Sequence, residues 1–419
     1  MTSTQRKKRF SSLIMEVCMF LSLFLILFVG IIIAFLFPKI KIPALIGFLL
    51  SGILLGSFSI LDPSIVAISP EIRKIALIII VLKAGLSLDI NALRKVGRPA
   101  LLLSFMPATF EILAFAIFGP LLLGLSLEES ILVGAVLGAV SPAVVVPRMT
   151  DFIQRGIGKE KRIPEMIVAG SSVDDVYCIV VFTAMSVLLS GGESEHVALS
   201  FLSIPSSIVL GIISGLVLGF LVVLLFKKVK IQDTLKLLLL FALSFLMVFL
   251  EGLLSKTWIS LSSLLSVITM GMVVFAKSKD VGKRLVGKCN KIWVVAEMFL
   301  FVLVGASVKI DSLWNVGIQA IAVLLIGLLF RSIGTTCCLI KTDLTWKERL
   351  FLVIAELPKA TVQAAIGGSL IGMAGINQDF ASFVLSISVL SIVLCAPLGA
   401  FGIDLSYKKL LNVGPSPEE

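Results

Sequence analysis

Histidine is all but missing from these 419 residues. The single His196 sits in a Gly-Gly-Glu-Ser-Glu-His connection, so histidine chemistry within the apolar segments is excluded. Any proton carrier there must be a carboxylate or a lysine. Charge is scarce as well: charged residues make up 15% of the chain against 58% hydrophobic ones, which excludes a fold built around a water-facing surface. The six cysteines (Cys18, Cys178, Cys289, Cys337, Cys338 and Cys395) lack metal-ligand spacing, and all but Cys289 fall in apolar runs. Neither a resident metal nor a disulfide is expected from them. A nucleotide-binding P-loop pattern is also missing, which argues against ATP-driven work. The net charge of +10 invites a nucleic-acid partner, but the cations lie in short loops between apolar runs, and no nucleic acid is expected.

What the chain does have is apolar runs of about 17 to 25 residues, the length at which a helix crosses the hydrocarbon of a bilayer. Thirteen are read, at 13–37, 42–58, 72–88, 99–123, 131–149, 163–189, 197–226, 235–254, 261–276, 292–308, 314–340, 350–373 and 380–403. The reading is an all-α polytopic membrane protein of about 13 transmembrane helices. The first run is too long for a signal peptide and lacks a small-residue cleavage site. Loops following the odd-numbered spans, together with the C-terminal tail, hold 25 Lys and Arg, and the opposite side holds 8. The cation-rich side is taken as cytoplasmic, which puts the C-terminus inside and the N-terminus outside, against the Arg6-Lys7-Lys8-Arg9 cluster. The plasma (cytoplasmic) membrane of a bacterium is the expected location.

Counting those at the span ends with the loops, three cations remain inside spans: Lys83, Arg331 and Lys359. A cation at the bilayer centre costs at least about 3 kcal/mol on insertion scales, so each needs a partner or a water-filled cavity. Lys83 reads as a lysine snorkelling to the cytoplasmic end of its span. The interior acids are Glu111, Asp174, Asp175, Glu297 and Glu356, with Glu16 and Glu251 nearer span ends. Five acids against three cations leave a deficit of two positive charges, which mobile cations or protons can fill.

Segments about 220 residues apart match. Gly85 pairs with Gly305, Ser87 with Ser307 and Glu111 with Arg331 at an offset of 220, and Pro142 with Pro358 at 216. Seven spans separate the members of each pair, so the copies run in opposite directions. The organisation is a 6+1+6 inverted repeat: 13–190, a linker span at 197–226, and 235–403. Such repeats build secondary transporters, with sites at the midplane between broken helices. Two paired interruptions mark where: Gly138-Ala139-Val140-Ser141-Pro142-Ala143-Val144-Val145-Val146-Pro147 and Glu356-Leu357-Pro358-Lys359-Ala360-Thr361-Val362-Gln363. Proline removes a backbone donor, and unwound backbone is tolerated at membrane depth where it lines a cavity. An ordinary proline kink accounts for the first interruption taken alone. Lys359 is a candidate to neutralise two carbonyl-rich helix ends. Between the interruptions, Gly170-Ser171-Ser172-Val173-Asp174-Asp175 places adjacent acids about 100° apart on one helix. One can take a lysine while the other faces an ion path.

These three stretches resemble the monovalent cation/proton antiporters of the NhaA-type fold, most closely their NHA branch of Na+(Li+)/H+ exchangers. The likeness covers nearly the whole chain. It implies two crossing discontinuous helices in a moving core, mainly 72–190 and 292–403, with the remainder forming a dimerisation scaffold and the protein a homodimer. It implies that Asp175 binds the transported Na+ or Li+ and the proton in turn, with Asp174 contributing to the site and pairing with Lys359. Glu111 and Arg331 would form a second membrane ion pair. Ser141, Pro142, Pro147, Pro358, Thr361 and Gln363 belong to the broken-helix site, and Glu297 and Glu356 are candidates for the ion path. No cofactor is implied; the partners are monovalent cations, protons and the bilayer, and the role is pH homeostasis. The acid at Glu356 departs from the apolar or aromatic residue of animal relatives. Alternatives stay open: K+/H+ exchange or organic-anion transport on the same fold. An intramembrane aspartyl protease would need its acids on separate helices in a Gly-x-Gly-Asp setting, and a channel a repeated pore loop; neither pattern is found.

Overall fold

The computed structural model describes residues 3–40, 42–88, 96–190, 197–254, 261–308 and 310–411. His196 lies outside them. Among the described residues the regular elements are all helical. The first half carries α1 (Ser3–Leu36), α2 (Ala44–Ser57), α3 (Pro63–Ala67), α4 (Ser69–Ser87), α5 (Arg98–Leu103), α6 (Met106–Leu123), α7 (Leu127–Leu137), α8 (Pro142–Arg155) and α9 (Ile163–Ser190). Then come α10 (Val197–Lys228), α11 (Asp233–Leu254), α12 (Ser263–Lys277), α13 (Lys279–Ala306), α14 (Ile310–Cys338), α15 (Trp346–Ala355), α16 (Thr361–Ser369) and α17 (Gln378–Leu410). Nine helical segments of the described residues are long and apolar enough to cross a membrane, and α2 and α12 are shorter apolar helices.

The helices depart from the sequence reading at three places, each for a local reason. The segment 99–123 is two helices, because Ser104 and Phe105 leave the ladder just before Pro107 enters the first turn of α6. The connection expected around 148–162 is mostly helix: Val144, Val145, Met149 and Phe152 form a buried stripe that carries α8 on to Arg155. The basic stretch 277–291 is helical too. Gly282, Leu285, Cys289 and Trp293 recur at helical spacing and are buried, so α13 begins at Lys279 and Cys289 lies inside it. In α14 a kink falls at Gly317, whose φ of 67° lies in the region that glycine tolerates.

Two groups of helices pack among themselves. Helix α2 lies along α13, α4 against α12 and α13, and α12 against α10 and α11. Glycine makes these approaches close: a Cβ on Gly52 or Gly56 would run into the backbone of Val302 or Ala306, and one on Gly85 into Ile268. Small residues let membrane helices meet backbone to backbone. In the second group α6 lies against α14 and α7, α9 against α7 and α8, and α17 against α15 and α16.

At the cation-rich face, Lys161 Nζ meets Glu348 Oε2 at 2.7 Å and ties the α8–α9 connection to the start of α15. Burial pushes the Glu348 carboxyl up, but hydrogen bonds from Lys161 and Thr345 outweigh it and hold the group below its ordinary value. A depressed carboxylate contributes stability above its unfolded pKa, about 4.3, and loses it as pH falls through the folded value. Glu348→Gln should therefore flatten the acid limb of thermal stability below about pH 5, by up to about 1 kcal/mol. Superimposable acid limbs for the two proteins would remove the tie from the pH dependence.

Candidate functional site

Both interruptions seen in the sequence are breaks in the structure, and they cross. Helix α7 ends at Leu137 and α8 begins at Pro142; α15 ends at Ala355 and α16 begins at Thr361. Ser141 N donates to Pro358 O at 2.8 Å where the extended segments meet. Pro142 occupies the first turn of α8, a position that needs no donor. Pro147 is not at the break: it lies inside α8. Gln363 ties the crossing further, with Nε2 donating to Ala139 O at 2.6 Å and Oε1 accepting from Ala360 N at 2.8 Å. The broken helices are thereby joined as one unit.

Arg331, projecting from α14, fills the space between the two helix ends. Its Nη1 donates to Gly138 O, the residue that caps α7, and its Nε donates to Glu356 O, which caps α15, at 2.6 Å. The carbonyl ends of two half-helices, each a partial negative charge, converge on one guanidinium. That is the part the sequence had offered to Lys359. The same group reaches three carboxylates, Glu356 Oε2 at 2.8 Å, Asp174 Oδ2 at 3.0 Å and Glu111 Oε2 at 3.3 Å. The residues matched by the repeat, Glu111 and Arg331, thus meet. Asp174 also accepts from Val140 N at 2.8 Å.

Lys359 takes a different partner from the one the resemblance implied. Its Nζ lies 2.6 Å from Glu111 Oε2, and the ion pair of Asp174 is with Arg331. The geometry explains the exchange: Lys359 follows Pro358 in the second break and points towards α6, whereas Asp174 of α9 faces the guanidinium. Glu356, a candidate for the ion path, is held within this network, and both partners of each bridge are at most 1% exposed.

Asp175 stands apart from this network. It is 5% exposed, its Oδ1 has no hydrogen-bond partner, and among the described residues no ion pair involves it. It lies at the end of a funnel of about 660 Å³ whose walls include Lys83, Pro142, Pro147, Trp293 and Thr361. Asp151, Gln154 and Asn290 line it further out, so it opens towards the cation-rich face. Further along α9, Ile179 and Phe182 are 2% and 4% exposed, and Phe182, Thr183 and Ser186 line a separate cavity of about 300 Å³. Ser141 Oγ and Thr361 Oγ1, at the starts of α8 and α16, are also buried without partners.

Lys83 was misjudged from the sequence. Instead of lying along lipid it lines the funnel, and its charge acts on both Asp175 and Glu297. The signal was available: Asp175 and Lys83 are both intramembrane charges of opposite sign. Glu297 is half-buried, one helical turn beyond Trp293, which hydrogen-bonds it.

Comparison with known proteins gives this geometry a family. The family described as sodium/hydrogen exchanger, transmembrane, matches residues 23–402. Sodium/hydrogen exchanger 9B2 of Xenopus tropicalis is 34% identical over 402 residues, covering 91% of this chain and 73% of that protein. Human sodium/hydrogen exchanger 9B1 is 30% identical over 383 residues, covering 88% of this chain and 73% of its own length. The sodium proton antiporter MjNhaP1 of Methanocaldococcus jannaschii, solved at pH 8, shares the fold with a TM-score of 0.79 at 22% identity, over 93% of this chain and 97% of that one. The chain with its crossed broken helices and buried carboxylates belongs to the transmembrane sodium/hydrogen exchanger family, and is a membrane transporter rather than an enzyme.

Proposed function

We propose that this protein exchanges Na+ or Li+ for H+ across the membrane by alternating access, with Asp175 holding the proton and the cation in turn. One observation carries the reading: of the buried carboxylates at the crossing, Asp175 is the one outside the ion pairs, and it ends the funnel. The charges support it. Glu111, Asp174, Asp175 and Glu356 face Arg331 and Lys359, so full ionisation leaves an excess of negative charge that protons or small cations must neutralise. Asp175 Oδ1, Ser141 Oγ and Thr361 Oγ1 offer oxygen ligands, which suit hard cations. Asp174 supports the site by anchoring its neighbour to Arg331.

Access from one face at a time is the requirement of exchange, and Asp175 lines the funnel but not the separate cavity near Phe182, which fits one such state. The tied crossing would move as part of a core made of α5 to α9 and α14 to α17. We assign α4 and α13, which pack on α2 and α12, to the scaffold, whereas the resemblance implied a core of mainly 72–190 and 292–403. Helix α10 is the linker span of the 6+1+6 repeat. A homodimer through the scaffold, and a C-terminus on the cytoplasmic, cation-rich side, belong to the same proposal. A bacterial cytoplasmic membrane belongs to it on the sequence reading alone, the two relatives named above being animal proteins.

The excess negative charge disfavours an organic anion. Potassium in place of sodium is decided by experiment. In proteoliposomes with the membrane potential clamped, an imposed Na+ or Li+ gradient should drive opposing proton flux, and an equal K+ gradient should drive much less. Flux with K+ alone would replace Na+ as the substrate, and no cation-coupled flux would sink the exchange reading.

A further inference from the structure

Four cations are buried among the described residues: Arg73, Lys236, Arg331 and Lys359. Arg331 and Lys359 lie in the crossing network, and Lys236 meets Asp233 at 3.1 Å. Arg73 has no such partner. It sits on the first turns of α4, 1% exposed, with Nε donating to Ser69 O at 3.3 Å and Nη1 unpartnered. The nearest acid in sequence, Glu71, is exposed and points to another side of the helix, because two residues turn a helix by about 200°. In the sequence Arg73 falls with the loop cations, since it follows the first residue of its apolar run. The charge of Glu71 acts on Arg73 only from a distance, without an ion pair; burying a cation so weakly compensated is costly, and a guanidinium cannot shed its proton to escape.

Arg73 lines a cavity of about 650 Å³ together with Ser57, Val66, Pro70, Ser307 and Ser382. This is the face opposite the funnel: the cavity gathers the end of α2, α3, the start of α4, the end of α13 and the start of α17. The three serine hydroxyls donate to carbonyls of their own helices, Ile53, Leu303 and Gln378, and each can rotate to donate to a ligand. A guanidinium with hydroxyl donors around it is the chemistry that recognises a phosphate. Around the cavity, Leu54, Phe58, Val66, Ile68 and Ile75 are exposed apolar side chains on the same helices. A phosphate held there would have hydrocarbon beside it.

We propose that this cavity binds the phosphate of an anionic membrane phospholipid, with Arg73 as its charge partner. The site lies on the seam between the two helix groups: α2, α4 and α13 supply one wall, and Ile371 and Ser382 the other. Arg73 Nη1 itself lies so close to α16 that a Cβ on Gly368 would sit 3.4 Å from it. A bound headgroup therefore touches both groups and resists their relative sliding. Binding is independent of which ion is exchanged; only the functional meaning of that sliding rests on the transport reading above.

The test uses purified full-length protein in detergent, with lipid retention measured after delipidation and readdition of phosphatidylglycerol, phosphatidylcholine or inorganic phosphate, alongside the thermal midpoint. Phosphatidylglycerol should bind and raise the midpoint, phosphatidylcholine much less, and inorganic phosphate not at all. Arg73→Gln should weaken phosphatidylglycerol binding by about tenfold, as expected for losing a charge-assisted contact. Val66→Trp, which fills the cavity and keeps Arg73, should do the same and covers the case in which the first variant fails to fold. Binding unchanged in both variants, or absent from the wild type, overturns the site. Equal effects of the two lipids, or a midpoint rise with inorganic phosphate alone, overturn the anionic lipid as its ligand. Transport plays no part in these readouts, so failed exchange and failed lipid binding are told apart.

Discussion

Asp175→Asn is expected to reduce cation-driven proton flux in proteoliposomes to that of empty vesicles, while the thermal midpoint stays near that of the wild type. The amide has the shape of the carboxyl but cannot release a proton or carry the charge that holds a cation. Little structure depends on the native group, because Oδ1 has no partner and no ion pair is lost. The effect on stability should therefore stay within about 1 kcal/mol, as for a substitution that breaks no buried network. Asp174→Asn is the control on the same helix. It disturbs the bond to Arg331 at 3.0 Å and the one from Val140 N at 2.8 Å, so it should lower stability as well as transport. Wild-type flux from Asp175→Asn at matched incorporation would remove Asp175 from the mechanism. A stability loss from Asp175→Asn as large as that of Asp174→Asn would show that the two acids had been given the wrong roles.

The differing surroundings of these neighbours, Asp174 in an ion pair and Asp175 outside one, were legible in the sequence, because adjacent helix residues face different ways. The crossing was legible for a similar reason: Pro142 and Pro358 occupy matching places in inverted copies. The pairing of charges was less so. Repeat arithmetic brought Glu111 to Arg331, but spacing cannot reveal that one guanidinium meets several acceptors at once, so Asp174 was matched to Lys359 and Glu356 was left on an ion path. Positions of charge along a helix were also misread where the membrane boundary was taken from apolar runs. Lys83 and Arg73 sit near opposite ends of α4, Lys83 over the Trp293 ring of α13 and Arg73 against Gly368 of α16, contacts between segments remote in sequence.

Replacing Arg331 is expected to have the largest effect on stability. Its five N–H groups have five acceptors in place: Gly138 O, Glu356 O, Glu356 Oε2, Asp174 Oδ2 and Glu111 Oε2. Arg331→Gln leaves carboxylates and helix-end carbonyls facing one another in a buried space, and breaking such a network costs about 3–5 kcal/mol. Arg331→Lys keeps the charge but offers three donors from a single atom, so it should recover only part of the loss. The network also predicts that exchanging Glu111 and Arg331 fails to restore stability. An arginine at 111 would lie beside Lys359, now 2.6 Å from Glu111, and position 331 would present a further carboxylate to Asp174 and Glu356. Removing a stranded charge should succeed where swapping does not: Glu356→Gln in the Arg331→Gln background should be less damaging than the same change in the wild type. Thermal or denaturant unfolding of the four proteins in this cycle decides it. Additive losses, within about 0.5 kcal/mol, would mean that Arg331 and Glu356 do not share a network. A charge swap more stable than both single reversals would reduce Arg331 to a simple partner of Glu111 and leave the two helix ends to be neutralised by something else.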